Sequence, residues 1–295
     1  MRPLVLYRVD PASTGADGLE RVDPRLALLT ATDLAATRGD GVFETIVVVD
    51  GVPQAVGLHL DRFARSAEML DLPAPRRDLW QRAVTETAAD LGDRTQRAAV
   101  KIVLSRGDEA RPVAATGWAL GFASEPPSAP APELDVVLLD RGYRHDVAQT
   151  SPWLLQGAKT LSYAVNLAAH REARRRGAQD VIFTSSDGFV LEGPNSTVVA
   201  RIDGVYVTPP TDLGVLAGTT QADVFAALEQ WGEGVRTRAI MAAELQEPAR
   251  HGVDALWLCS STRGAAPVRS LDGAPWAVDR ALTARINDAL DARRG

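Results

Sequence analysis

Residues 124–133, Ser-Glu-Pro-Pro-Ser-Ala-Pro-Ala-Pro-Glu, divide this sequence more sharply than any other stretch. Proline has no N–H to donate and a fixed φ, so such a run neither continues a helix nor sits inside a sheet. The segment reads as a linker between domains, leaving residues 1–123 and 134–295 on either side. Both pieces have ordinary domain length, and a hydrophobic content of 45% is ample for two buried cores.

The first piece mixes β-like runs with two helices. Arg38-Gly39-Asp40-Gly41 leads into a β-branched strand over residues 42–49, and Asp50-Gly51 supplies a hairpin turn. In residues 59–70, Leu60, Phe63, Ala64, Ala67 and Leu70 recur at helical spacing and face a core, with Arg62 off that stripe, either solvated or aimed into a cleft. A second helix is expected from a cap at Asp78 to Leu91, then a strand over residues 98–104 and a turn holding Arg106 and Arg111.

Beyond the prolines, residues 134–139 form a strand and the Lys159 segment opens a helix ending near Gly177. Asp187-Gly188 closes a hairpin with Glu192 at its outgoing end, and Asp203-Gly204 closes another. The stretch from Gly214 to Thr220 breaks into a helix carrying Val224, Phe225 and Leu228.

Several function classes are disfavoured. A net charge of −6 and a pI near 5.3 leave no basic stripe for nucleic acid, and no apolar run approaches the roughly 18 residues of a membrane span. The N-terminus lacks the apolar core and cleavage site of a signal peptide, so a cytoplasmic location is expected. Cys259 is the one cysteine and lies in an apolar run typical of a buried strand, while His59, His145, His170 and His251 show no metal-ligand spacing. No metal is implied.

Lys159 stands out against this background. Of 32 lysines and arginines only Lys101 and Lys159 are lysines, and Lys159 follows Gly157-Ala158 and precedes Thr160-Leu161-Ser162-Tyr163. An amine can lose its proton, attack a carbonyl and form a Schiff base, which a guanidinium cannot. Three other features suit a phosphate: Arg62, the hydroxyls and backbone N–H groups of Gly218-Thr219-Thr220 at a helix start, and Ser260-Ser261-Thr262 after a buried strand. With the lysine they point to an aldehyde-bearing phosphate, pyridoxal 5′-phosphate, and Glu192 offers a carboxylate for its ring nitrogen.

The segments 38–46, 59–70, 159–195, 214–225 and 260–268 resemble fold-type IV (class IV) pyridoxal-phosphate aminotransferases, a family that includes branched-chain and D-amino-acid transaminases and aminodeoxychorismate lyase. The resemblance implies a two-domain α/β (α+β) fold: a small N-terminal α/β domain over 1–123 and a larger C-terminal domain over 134–295 built around a β-barrel. It implies a homodimer with active sites at the interface. Lys159 becomes the Schiff-base lysine and proton shuttle, and Glu192 the partner of the pyridine nitrogen. Arg62, Thr219, Thr220 and Ser261 become the phosphate cup, with Tyr163 near the cofactor's phenolic oxygen.

Within the family, Arg106 and Arg111 look like the paired arginines of D-amino-acid transaminases, the second holding a substrate carboxylate. Those enzymes carry a histidine and a tyrosine where this chain has Val113 and Phe43, so carboxylate binding is expected to lean on Arg111, Arg106 or Arg38. Thr197 stands where the family usually has asparagine. The favoured expectation is a transaminase acting on D-amino acids or (R)-amines with a 2-oxo acid such as 2-oxoglutarate or pyruvate. The alternative is 4-amino-4-deoxychorismate lyase, releasing pyruvate and 4-aminobenzoate. A non-catalytic carrier of the cofactor is disfavoured by the intact Lys159, Glu192 and Arg62.

Overall fold

The structure, a computed structural model, describes residues 4–15, 17–92, 97–111, 115–124 and 131–293. The centre of the proline-rich break, residues 125–130, and Val113 lie outside the described residues. The chain gathers into two units, and the segment Ala158–Tyr163 belongs to the first although the residues on either side of it belong to the second.

In the first unit, β1 (Leu4–Val9), β2 (Leu19–Val22), β3 (Gly41–Val49), β4 (Val52–Pro53), β5 (Arg97–Ser105) and β6 (Thr116–Ala123) form an antiparallel sheet in the order β2-β1-β6-β5-β3-β4. The β3–β4 turn has Asp50 and Gly51 both at positive φ, 47° and 78°, as a two-residue hairpin requires. A one-turn helix, α1 (Leu34–Thr37), precedes β3.

Two longer helices, α2 (Val56–Met69) and α3 (Arg77–Leu91), cover one face of the sheet. They approach closely because β6 carries glycines beneath α3: a Cβ at Gly117 would meet the Trp80 ring at 3.0 Å, and one at Gly121 would meet Thr87 Cγ2 at 2.8 Å. Phe63 and Trp80 pack edge to face, 5.0 Å between centroids, both fully buried. The buried stripe of α2 differs from the apolar spacing: Ala64 is exposed, whereas His59, Arg62 and Ser66 are buried. Asp78 lies inside the first turn of α3 and Arg76 occupies the cap position.

The short β4 leaves the first residues of β3 with an open edge, and Lys159–Leu161 fills it. Phe43 N–H donates to Lys159 O at 3.0 Å, Leu161 N–H donates to Gly41 O at 2.8 Å, and Val42 bridges Thr160. The Lys159 segment is therefore an extended edge strand, not the start of a helix. Its helix, α5, starts only at Ala164 in the second unit, so Tyr163 does not follow Lys159 by a helical turn.

The second unit holds β7 (Leu134–Asp140), the short helix α4 (Val147–Thr150), α5 (Ala164–Arg175), β8 (Asp180–Thr184), β9 (Thr197–Ile202), β10 (Val205–Thr208), α6 (Thr219–Gln230), β11 (Val235–Thr237), α7 (Ala242–Gln246), β12 (Val253–Ser260), β13 (Gly264–Leu271), β14 (Ala274–Pro275) and α8 (Arg280–Asp291). Its sheet runs β11-β10-β9-β12-β13-β7-β8, with β14 paired to β13. Two isolated bridges, Thr184 to Val190 and Phe189 to Met241, together with Val190 N–H donating to Ile240 O, carry the β8 edge round to the chain leaving β11. The expected outgoing limb after Asp187-Gly188 is thus made of bridges and not of a full strand.

Side chains from around this ring, among them Val136, Ile182, Val190, Val198, Val207, Ile240, Leu256 and Val268, form one buried cluster. Outside it, α6 and α8 pack on β9 and β12 through Val224, Leu228, Ile286, Leu290 and Trp257, and α5 packs through Ala169 and Ala173. A sheet curled around one apolar interior with helices outside is how a barrel avoids open edges.

Candidate active site

Alternation along β3 sorts its side chains onto two faces. Glu44 points toward α2, and Phe43 points the other way, where Lys159 lies beside it with Nζ 4.5 Å from the ring centroid. Tyr163 meets Phe43 edge-on at 5.3 Å, and Lys159 Nζ is 5.8 Å from the tyrosine ring. The lysine's own N–H donates to Ser66 Oγ of α2 at 3.0 Å, so backbone bonds on both sides hold its main chain.

Toward α2, Glu44 is fully buried and accepts from two partners. Arg62 Nε donates to Oε1 at 2.7 Å and Nη2 to Oε2 at 2.7 Å, and His59 Nδ1 lies 2.7 Å from Oε2. Burial by itself would raise the Glu44 carboxyl; the Arg62 charge, its hydrogen bonds and the His59 bond outweigh that and bring it down to about 2. Burial lowers His59, so the imidazole is neutral and its Nδ1–H donates to the carboxylate. Arg62 is thus neither a solvated side chain nor a cation with an open fork, because its Nε/Nη2 edge is occupied by Glu44.

The three arginines proposed for a substrate carboxylate fare differently. Arg106 spends four of its five N–H donors inside the first unit, on Asp40 Oδ2 at 2.6 Å, Asp40 Oδ1 at 3.2 Å, Leu70 O at 2.5 Å and Asp71 O at 3.2 Å. That makes it a pin between β5, the bend before β3 and the end of α2. Arg38 and Arg111 are exposed, Arg111 in a turn where its N–H donates to Asp108 O.

In the second unit, Glu192 leaves the β8 turn with its backbone tied to Phe183, and its Oε2 accepts from Leu216 N–H at 3.1 Å. Thr219 and Thr220 are buried in the first turn of α6, whose N-cap, Gly218, gives it no side-chain cap. Thr220 Oγ1 donates to Ser261 Oγ at 3.4 Å, which brings the helix start and the end of β12 together. Gly218 is tightly packed: a Cβ there would lie 2.2 Å from Thr197 Oγ1, so a side chain would force Thr197 to shift. A helix start lined with hydroxyls is suited to an anion.

Residues 41–271, from the first residue of β3 to the last of β13, match the family model for amino-transferase class IV. The chain belongs to the class IV aminotransferases. The bifunctional aminodeoxychorismate lyase / D-amino acid transaminase of Mycobacterium tuberculosis is 41% identical over 266 residues, 86% of this chain and 89% of that one. A fold IV transaminase from Curtobacterium pusillum superposes with a TM-score of 0.93 at 50% identity, covering 99% and 100% of the two chains. A hypothetical aminotransferase from M. tuberculosis in its PLP-bound form gives 0.86 at 39% identity over 97% and 99%.

Two features of this aminotransferase were hidden in its sequence. From the sequence Phe43 is a departure from the tyrosine of its relatives, whereas in the structure it is the surface against which Lys159 lies; the pairing of Arg62 with Glu44 and His59 also emerges only in the structure. The alternation of β3 and the spacing His59–Arg62 on α2 are the signals that would have found the pair.

Cys259, on β12, is 2% exposed, and burial pushes its thiol up to about 12. The native enzyme is therefore expected to leave this thiol unreacted with Ellman's reagent at pH 8, with full reaction only in denaturant. Among the described residues, no cluster of His, Cys, Asp and Glu is arranged to hold a metal.

Proposed function

We propose that this aminotransferase moves an amino group between a D-amino acid or (R)-amine and a 2-oxo acid such as 2-oxoglutarate or pyruvate. The observation that carries the reading is Lys159: an amine fixed by main-chain bonds to β3 and Ser66, with its Nζ against an aromatic face. Support for D selectivity comes from the M. tuberculosis relative and from D-alanine aminotransferase of Bacillus licheniformis, 25% identical over 80% of each chain.

Class IV aminotransferases work with pyridoxal 5′-phosphate, and the donors present fit that group. They comprise an amine, a carboxylate, an arginine, and hydroxyls at a helix start capped by a tightly packed glycine. When bound, the cofactor would supply an aldehyde to carry the amino group and a ring to delocalise the electron pair left on the α-carbon once its proton is removed. Lys159 Nζ then accepts and returns that proton. Glu192 is assigned to the ring nitrogen, keeping it protonated, and Tyr163 to the phenolic oxygen. Thr219, Thr220 and Ser261 are assigned as donors to the phosphate, and Arg62 as a positive charge facing it. Arg111 and Arg38 are assigned to a substrate carboxylate.

We place the enzyme in the cytoplasm as a homodimer; among the described residues no helix is long and apolar enough to cross a membrane. Trp153, Leu154, Val165 and Leu167, all in the second unit, are 46–72% exposed, large apolar side chains of the kind a second copy would cover.

The lyase remains a second reading because the 41% identical relative carries both activities in its name. Single half-reactions followed by absorption separate them. D-alanine is expected to convert the bound cofactor's absorption to that of its amine form and L-alanine to leave it unchanged. Conversion by L-alanine alone would move the enzyme to the branched-chain group. Release of 4-aminobenzoate from aminodeoxychorismate without lasting conversion would make it the lyase.

A further inference from the structure

The chain's two lysines meet at one ring. Lys101 Nζ lies 4.6 Å from the Phe43 centroid and Lys159 Nζ 4.5 Å from it, so the two nitrogens are within about 9 Å of each other. Strand register explains this. In the β3–β5 ladder Thr45 faces Lys101 and Phe43 faces Val103, which puts Lys101 diagonally beside Phe43 on the face away from the helices. Lys159, paired alongside Phe43 at the other edge of β3, shares that face.

Lys101 is the one residue of β5 that is not fully buried. Its cross-strand neighbours, Thr45 and Leu120, carry no charge, and among the described residues its ammonium meets the Phe43 ring and no carboxylate. A solubility lysine would sit on an exposed turn, and a structural one would have an acid beside it. Burial pulls its ammonium below the ordinary lysine range, with no nearby acid to oppose the shift. A half-buried cation without a counter-charge is costly unless an anion arrives to pair with it.

We propose that Lys101 Nζ binds a carboxylate of the substrate on the Phe43 face, next to the reacting amine, and so sets the preference for anionic substrates. The assignment rests on Lys159 being that amine. It supplies the positive charge that Phe43, in place of a hydrogen-bonding tyrosine, and the internally committed Arg106 do not.

The test is calorimetric binding of glutarate, an unreactive dicarboxylate, and of neutral glutaramide to the cofactor-loaded wild type, K101M and K101R. The expected result is a glutarate Kd raised about tenfold or more in K101M, the loss of a charge-assisted hydrogen bond. K101R should stay within about threefold of wild type, as expected of a retained charge, and glutaramide should not distinguish the three proteins. Wild type binding glutarate no more tightly than glutaramide would overturn the proposal. So would K101M matching wild type, or K101R losing as much as K101M, which would mean a packing role. If K101M does not fold, K101Q takes its place under the same criteria. Absorption spectra of the same samples keep the two readings apart: absence of bound cofactor in the wild type removes the role given to Lys159, while glutarate binding still decides on Lys101.

Discussion

Exchanging Lys159 for arginine is expected to lower turnover by about four orders of magnitude, the upper end of what a positioned acid–base group supplies. The substitution is a demanding one because it keeps the charge. An arginine retains a cation over the Phe43 ring, and the backbone bonds to Phe43 and Ser66 do not involve the side chain at all. What it removes is the ability to shed a proton and act as a nucleophile. Circular dichroism and the unfolding midpoint of K159R should therefore match wild type while turnover is lost. Lys159→Ala should be equally inactive but should regain measurable turnover when methylamine is added, since a free amine then stands where Nζ was. Turnover of K159R within tenfold of wild type would sink the assignment.

What could be read from the sequence depended on how local the governing interaction was. The Asp50-Gly51 and Asp203-Gly204 turns adopt the positive φ values that the residue types announce, because a hairpin turn is decided by its own two residues. The helix carrying Val224 and Leu228 was legible for the same reason. Lys159 stands out by residue type, but its conformation was not legible. Its extended conformation is imposed by the open edge of β3, more than a hundred residues earlier, and no periodicity in residues 156–163 records that pairing. The apolar spacing on α2 misassigned Ala64 and missed Arg62 because a paired buried arginine breaks the rule that apolar residues face the core. Lys101 is visible in the sequence as the other lysine, but its place beside Phe43 follows only from the β3–β5 register.

That buried arginine carries the largest expected effect on stability. Glu44→Gln leaves the Arg62 guanidinium and the His59 ring without the carboxylate they share, and removing one partner of a buried ion pair costs about 3 to 5 kcal/mol. The urea midpoint should fall accordingly with the m-value unchanged. A double variant, E44Q with R62M, should recover most of the loss, because it leaves no uncompensated charge. Acid titration gives an independent check with a definite sign. The folded Glu44 carboxyl sits at about 2, below the ordinary value near 4.3, so its contribution is fully present above about pH 4.3 and is lost as pH falls toward 2. His59, lowered by burial, favours the folded state as a neutral ring; its contribution is present above about pH 6.5 and declines as pH falls below that. Wild type should thus lose stability on the acid side in two stages, and E44Q should lack the one below pH 4.3. An E44Q variant within about 1 kcal/mol of wild type, or one keeping both stages, would mean that Glu44 does not hold Arg62 in place.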